Sequence, residues 1–438
     1  MTRPVPPARS ARSWRLLTLV TLIPVLAVVA ACRRGAAPAP RSPADPVSHR
    51  SVSPGPASPS QAASRLPLLG AYYYSWYPEN LAGGSLGSHL VPPAGPDPAS
   101  EISADPATAE RSIAEAASAG IDFFALDWWP NRPDLNQRID TGFLHASNVS
   151  SVHFAVMYET QAIEPAVPYE VDTPVTPAAQ AQLVADMVSI AKDYFANPQY
   201  LRIDGRPVVF WYLTRTLTGN VAGAVQAVRS ALSALGYNVF LIGDEMFWRV
   251  TSTSGATVSA PQPWRAKLFD AITWYNLYDA SQPALTGYAS SSGYLPAINK
   301  LIASYKAALG GSVPIVPDVI PGYNDRATRP SENHPAIPRE YAPGEADGSL
   351  LAQMFDQVAL PNVDPRAPLV MITSWNEWNE QTAIEPVSST ATTSRDDSRT
   401  GTEYTQGYPY GGPGDALLGV VRQLAYQRPP GAAASPGP

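Results

Sequence analysis

Three features of the chain predict a single (β/α)8 barrel, a TIM barrel, with its working face at the carboxyl ends of the strands. About eight short apolar or aromatic runs alternate with Ala-rich stretches of helical period. Connections after the helices are short, whereas those after the strands are long and polar. Nearly every strand run also ends in aromatic rings or acids.

In chain order the strand runs are 68–77, 121–129, 153–159, 207–213, 239–245, 271–278, 313–320 and 368–375. Helical periodicity marks 107–119, 178–194, 221–235 and 295–309. Ser118-Ala119-Gly120, Gly236-Tyr237-Asn238 and Gly310-Gly311-Ser312 are tight returns to the next strand. The opposite connections, 78–105, 160–176, 247–262, 321–347 and 381–414, are long enough to wall a site. A doubly wound open sheet is the rival. It would need a Gly-rich phosphate turn after the first strand, where Tyr72-Tyr73-Tyr74-Ser75-Trp76-Tyr77 stands instead. Asp204-Gly205, flanked by Arg202 and Arg206, reads as a structural turn on the far face.

The ends of the chain are different material. Residues 1–31 carry four arginines and no acids ahead of an apolar stretch broken by Pro24, too short for a comfortable bilayer span. The stretch ends Val29-Ala30-Ala31-Cys32, and Cys32 is the only cysteine. This pattern resembles the lipobox of bacterial lipoproteins. It implies cleavage before Cys32, lipidation of its thiol, export, and anchoring to the extracytoplasmic face of a bacterial membrane. Residues 32–65 are a Pro/Ala/Ser-rich tether, 66–427 the catalytic barrel, and 428–438 a disordered tail.

Composition excludes several functions. The formal charge is −7, and about −11 without residues 1–31, with no Lys/Arg run to follow a phosphate backbone; no nucleic acid is expected. One cysteine rules out an internal disulfide or a thiolate cluster. His49, His89, His145, His153 and His334 lack ligand spacing, so neither a metal nor a cofactor is expected. The chain is read as a monomer.

The strand ends suggest the ligand. Trp76-Tyr77, Asp127-Trp128-Trp129, Tyr158-Glu159, Trp274-Tyr275 and Tyr323 put flat rings beside carboxyls, as a polyhydroxylated ligand with apolar C–H faces requires. Each has a structural reading too, because successive strand residues face opposite sides and one of each aromatic pair should pack in the core. The most informative run is Thr373-Ser374-Trp375-Asn376-Glu377-Trp378-Asn379-Glu380. In a turn after the last strand, Glu377 and Glu380 would lie on one side, with Cβ atoms roughly 5–6 Å apart. Two carboxyls about 5 Å apart suit a retaining glycosidase. Asn376 and Trp378 would supply a hydrogen bond and a low-dielectric wall.

These motifs, with Tyr200-Leu201-Arg202-Ile203-Asp204-Gly205-Arg206-Pro207, Pro321-Gly322-Tyr323-Asn324-Asp325 and Ile384-Glu385-Pro386, resemble glycoside hydrolase family 99 and the related WbsX-like domains. Family 99 comprises endo-α-mannosidases and endo-α-mannanases. The resemblance implies that Glu377 is the base taking the proton of the sugar's 2-hydroxyl and Glu380 the acid/base serving the glycosidic oxygen. Configuration would be retained through a 1,2-anhydro sugar. It also implies Tyr74, Trp128, Glu159 and Tyr275 as subsite residues; Trp76, Trp129, Tyr323, Asn376 and Trp378 join them on position. The chain departs from the hydrolases in having Asn379 and Gln381 where they have His and Gly. The expected partner is a poly- or oligosaccharide. The alternatives are a WbsX-like, glycosyltransferase-type protein of polysaccharide biosynthesis and a non-catalytic glycan-binding lipoprotein.

Overall fold

The computed structural model describes residues 67–427 apart from 168–170, 248–249, 252–256, 259–260 and 279–284. Residues 1–66 and 428–438, on which the expected signal peptide, lipidated Cys32, tether and tail fall, lie outside the described residues. Eight strands form the barrel: β1 Leu68–Tyr73, β2 Phe123–Trp128, β3 His153–Glu159, β4 Arg206–Tyr212, β5 Phe240–Asp244, β6 Ala271–Thr273, β7 Asp318–Val319 and β8 Leu369–Ile372. All their mutual pairings are parallel, in the order β6-β5-β4-β3-β2-β1-β8-β7. The ring is nearly closed by one parallel bridge, Ile272 with Ile315.

The principal helices are α1 Pro106–Ser118, α2 Pro133–Thr141, α3 Pro177–Tyr194, α4 Val221–Ala234, α5 Tyr294–Leu309, α6 Ser349–Met354 and α7 Ala416–Gln427. Periodicity marks α1, α3, α4 and α5; α2, α6 and α7 lie outside the stretches it marks. Several start in the same way. Pro occupies the first turn of α1 and α3, where its missing N–H costs nothing, and Asp105 and Thr176 accept from Ala107 and Ala179 as N-caps.

Two strands are much shorter than expected. The run 313–320 contributes only Asp318–Val319, because Pro314 and Pro317 cannot donate to a ladder. The run 271–278 pairs only to Thr273, and the residues beyond it continue to the barrel mouth. The Asp204-Gly205 turn joins Arg202–Ile203 to β4 as an antiparallel hairpin, both turn residues at positive φ.

Strand alternation splits the core in two. Phe123, Ala125, Met157, Phe210, Ile242 and Met371 point inward and fill the barrel. Phe124, Leu126, Trp128, Tyr158, Trp211 and Ile372 point outward to the helices. The site therefore has to be made by residues at or just past the strand ends.

Candidate active site

The turn after β8 carries the two glutamates. Inside the barrel Asp318 accepts from the Thr373 N–H (3.0 Å) and hydroxyl (2.7 Å), fixing where β8 ends. Ser374 Oγ then accepts from the Glu377 N–H at 2.8 Å, and Glu377 Oε1 accepts from the Asn379 N–H at 2.8 Å. The Asn324 N–H donates to the Glu380 carbonyl at 2.8 Å. Gln381 takes a φ of 57°, the left-handed conformation that turns the chain back. Its side chain donates to Trp378 O (3.0 Å) and accepts from the Arg339 guanidinium (3.2 Å).

Held this way, Glu377 and Glu380 face one cleft of about 570 Å³ at the mouth of the barrel. Its aromatic side is Tyr74, Trp76, Trp129, Tyr212 and Tyr275. Tyr74 and Trp76 stack with centroids 4.3 Å apart and planes 14° from parallel, and Trp129 leans on Trp76 at 6.4 Å. The hydroxyls of Tyr74 and Tyr275 hydrogen-bond to each other. Asp127 lies buried beneath this wall, accepting from the Trp129 indole N–H; burial pushes its carboxyl up to about 7, against hydrogen bonds with Trp129 and Glu159.

The facing side is charged. Arg329 Nη1 donates to Asp325 Oδ2 at 2.8 Å and lies 3.0 Å from Glu380 Oε1. His334 Nδ1 is 2.7 Å from the same Asp325 oxygen, and its Nε2 is 3.2 Å from Glu332. Arg215 reaches the cleft from the loop after β4, paired with buried Asp244. Burial first, then the Glu380 charge, raises Glu377 well above the ordinary glutamate range. The Glu380 charge thus acts on Glu377, and burial favours the neutral form of Glu377.

Seven of the predicted site residues line this cleft: Tyr74, Trp76, Trp129, Glu159, Tyr275, Glu377 and Glu380. Four do not. Trp128 ends β2 on the outward face and stacks on Tyr158 at 5.6 Å, in the layer between sheet and helices. Asn376 is a brace: it accepts from the Tyr74 N–H (2.8 Å) and donates to the Tyr74 carbonyl (3.1 Å), tying β1 to the turn. Trp378 is buried against Tyr77 and Ala383 in the barrel-side core. Tyr323 lies behind the wall, stacked at 4.0 Å on Tyr278, which takes the cleft position instead.

The cleft also takes Tyr212, Arg215, Asn276, Tyr278, Arg329, Glu332 and His334, to which the sequence assigns no site role. Tyr212 is one of the strand-end aromatics, and Asn276 lies within the run 271–278, so for these two the sequence carries a signal. Arg329, Glu332 and His334 belong to the long connection after β7, whose length was the only cue.

A family model described as "Glycosyltransferase WbsX" matches residues 177–393. No curated protein matches. Among solved structures, a GH99 endo-alpha-mannosidase from Bacteroides thetaiotaomicron with bis-tris-propane bound is 18% identical. The alignment covers 82% of this chain and 96% of that one, with a TM-score of 0.54. A second GH99 endo-alpha-mannosidase structure from that organism gives 18% identity, 82% and 95% coverage, and a TM-score of 0.51. A protein described as "glycoside hydrolase-like protein" gives 18%, 84% and 96%, and a TM-score of 0.56. The chain resembles both groups, sharing the barrel of the GH99 endo-α-mannosidases and, over residues 177–393, the sequence pattern of the WbsX domains.

Proposed function

We propose that this chain is a retaining glycoside hydrolase acting within α-mannan-like or related α-linked glycans. The observation that carries the reading is that two adjacent carboxyls, Glu377 and Glu380, enter one aromatic-walled cleft from a turn fixed by its own hydrogen bonds. Stacked rings receive the C–H faces of a sugar, and a coupled pair holding one proton supplies an acid and a base. In an α-mannoside the axial O2 lies opposite the axial leaving group. With Glu377 as base toward the 2-hydroxyl and Glu380 as acid to the glycosidic oxygen, O2 closes on the anomeric carbon as the bond to the aglycone breaks. Glu380 then takes a proton from the water that attacks the anomeric carbon and reopens the ring, while Glu377 returns its proton to O2. Export and anchoring through Cys32 belong to the same reading, since a polymer is met outside the cell.

The match to the WbsX model favours a second reading, a glycosyltransferase-type protein of polysaccharide assembly. One experiment separates them. The full chain in detergent is incubated with α-mannans and other bacterial and fungal α-glycans, and separately with nucleotide sugars, and products are followed by mass spectrometry. Hydrolysis that disappears in Glu380→Gln supports the proposal. Consumption of nucleotide sugars with no glycan cut refutes it, and binding without either reaction leaves a glycan-binding protein.

A further inference from the structure

The steps assigned to Glu377 and Glu380 make no use of Arg329. Its side chain is 39% exposed and lines the cleft, and only Nη1 is engaged, with Asp325 and Glu380. Its Nη2 and Nε make no hydrogen bond among the described residues. Asp325 itself is fully buried and shared with His334 at 2.7 Å, so it anchors the arginine without using up its charge-assisted donors. The result is a guanidinium with N–H groups to spare on a residue that lines a sugar-sized cleft beside the reacting pair.

The same arginine bears on the reacting pair. Its Nη1 lies 2.8 Å from Asp325 and 3.0 Å from Glu380 Oε1, so a ligand that engages the guanidinium also loosens its contact with Glu380. A neutral sugar is a poor competitor for that contact.

We propose that the substrate of this cleft is an anionic glycan, whose carboxylate or phosphate group pairs with Arg329 and draws the guanidinium away from Glu380. The proposal rests on the hydrolase reading and narrows its substrate. Asp325 keeps its own hold on Nη1, so the guanidinium stays anchored as it turns to the ligand. The other acids of the cleft are Glu159, Glu377 and half-exposed Glu332; burial favours the neutral form of Glu377, and His334 engages Glu332. Specificity then lies in the charge: a substrate without it leaves Arg329 on Glu380.

The test compares three α-mannose-based oligosaccharides: a neutral one, one bearing a uronate and one bearing a phosphate ester. The full chain in detergent is used as wild type, Arg329→Gln and Arg329→Lys. A charge-assisted bond of this type corresponds to about 10- to 100-fold, so wild type should cut one anionic substrate by that factor in kcat/KM over the neutral one. The preferred arm identifies the anion. Arg329→Gln should abolish the preference and raise neutral turnover, whereas Arg329→Lys, which keeps the charge, should retain it. Equal rates on all three in wild type, or a preference that survives Arg329→Gln, would overturn the proposal while leaving hydrolysis intact. If no glycan is cut, calorimetry decides: tighter anionic binding lost in Arg329→Gln upholds the recognition, and equal dissociation constants end it.

Discussion

The two walls of the cleft come from different parts of the fold. Tyr74, Trp76, Trp129 and Tyr275 stand within three residues of the ends of β1, β2 and β6. Arg329, Glu332 and His334 hang on the connection after β7, ten or more residues past Val319. A strand end inherits its direction from the pleat, so the aromatic wall is rigid and positioned by the barrel itself. The charged wall is held by ion pairs centred on buried Asp325. Under the proposed function, one wall would hold a sugar ring and the other would meet a charge on it.

The largest effect should come from the reacting pair. Glu377→Gln and Glu380→Gln should each reduce kcat by about 10²–10⁴, the usual range for losing an acid or base, while glycan binding persists through the aromatic wall. Steady-state kinetics and calorimetry on the same preparations measure both quantities. Loss of binding together with turnover would mean that the two walls are not separable.

The neighbouring tryptophans sharpen the contrast. Trp129 faces the cleft, so Trp129→Ala should raise KM by about tenfold, the scale of a lost ring contact, with a stability loss of about 1–3 kcal/mol from the donor withdrawn from buried Asp127. Trp128 is packed on Tyr158 behind the sheet, and Trp128→Ala should cost about 3–5 kcal/mol of stability in urea without moving KM in the folded fraction. The opposite pattern would reverse the assignment of the two faces.

That pair also shows how far the sequence could be read. The barrel, its helices and the ring of strand-end aromatics were legible because hydrophobic period and loop length encode them directly. The pleat requires that Trp128 and Trp129 point apart, but nothing local says which one faces the ligand; that depends on the register of β2 against β3. Adjacency to Glu377 suggests Asn376 and Trp378 for the site. The turn rotates Trp378 into the barrel-side core and spends Asn376 on the backbone of Tyr74. Arg329 and His334 could not be found at all, since a long loop fixes its side chains only through tertiary partners such as Asp325.

Glu385 probes ionisation outside the cleft. It is buried and accepts from Ser112 Oγ at 2.8 Å; burial, then the Glu101 charge, pushes it up to about 8. Its folded value lies above its ordinary one, so between roughly pH 4.5 and 8 the native chain keeps a proton that the unfolded chain has released. Stability is therefore lost as the pH rises through that window. Glu385→Gln should flatten the slope, making the variant relatively more stable at pH 8 than at pH 5 by about 1–3 kcal/mol in urea unfolding. Parallel slopes would show that Glu385 is already ionised in the native chain.

The smallest expected effect is at Gln381, where the resembled hydrolases have Gly. A side chain at a φ of 57° costs about 1 kcal/mol, which Gln381→Gly would recover. Against this, the Gln381 amide donates to Trp378 O and is an acceptor for buried Arg339. Removing it leaves a guanidinium donor unpaired in the interior, at about 1–3 kcal/mol. The second quantity should win, so Gln381→Gly is expected to be about 1 kcal/mol less stable, with kcat reduced by less than tenfold because the hydrogen bonds at Glu377 remain. A variant more stable than wild type would mean that the Arg339 contact is weak. The turn carrying both glutamates would then owe its shape to backbone conformation rather than to the side chain that closes it.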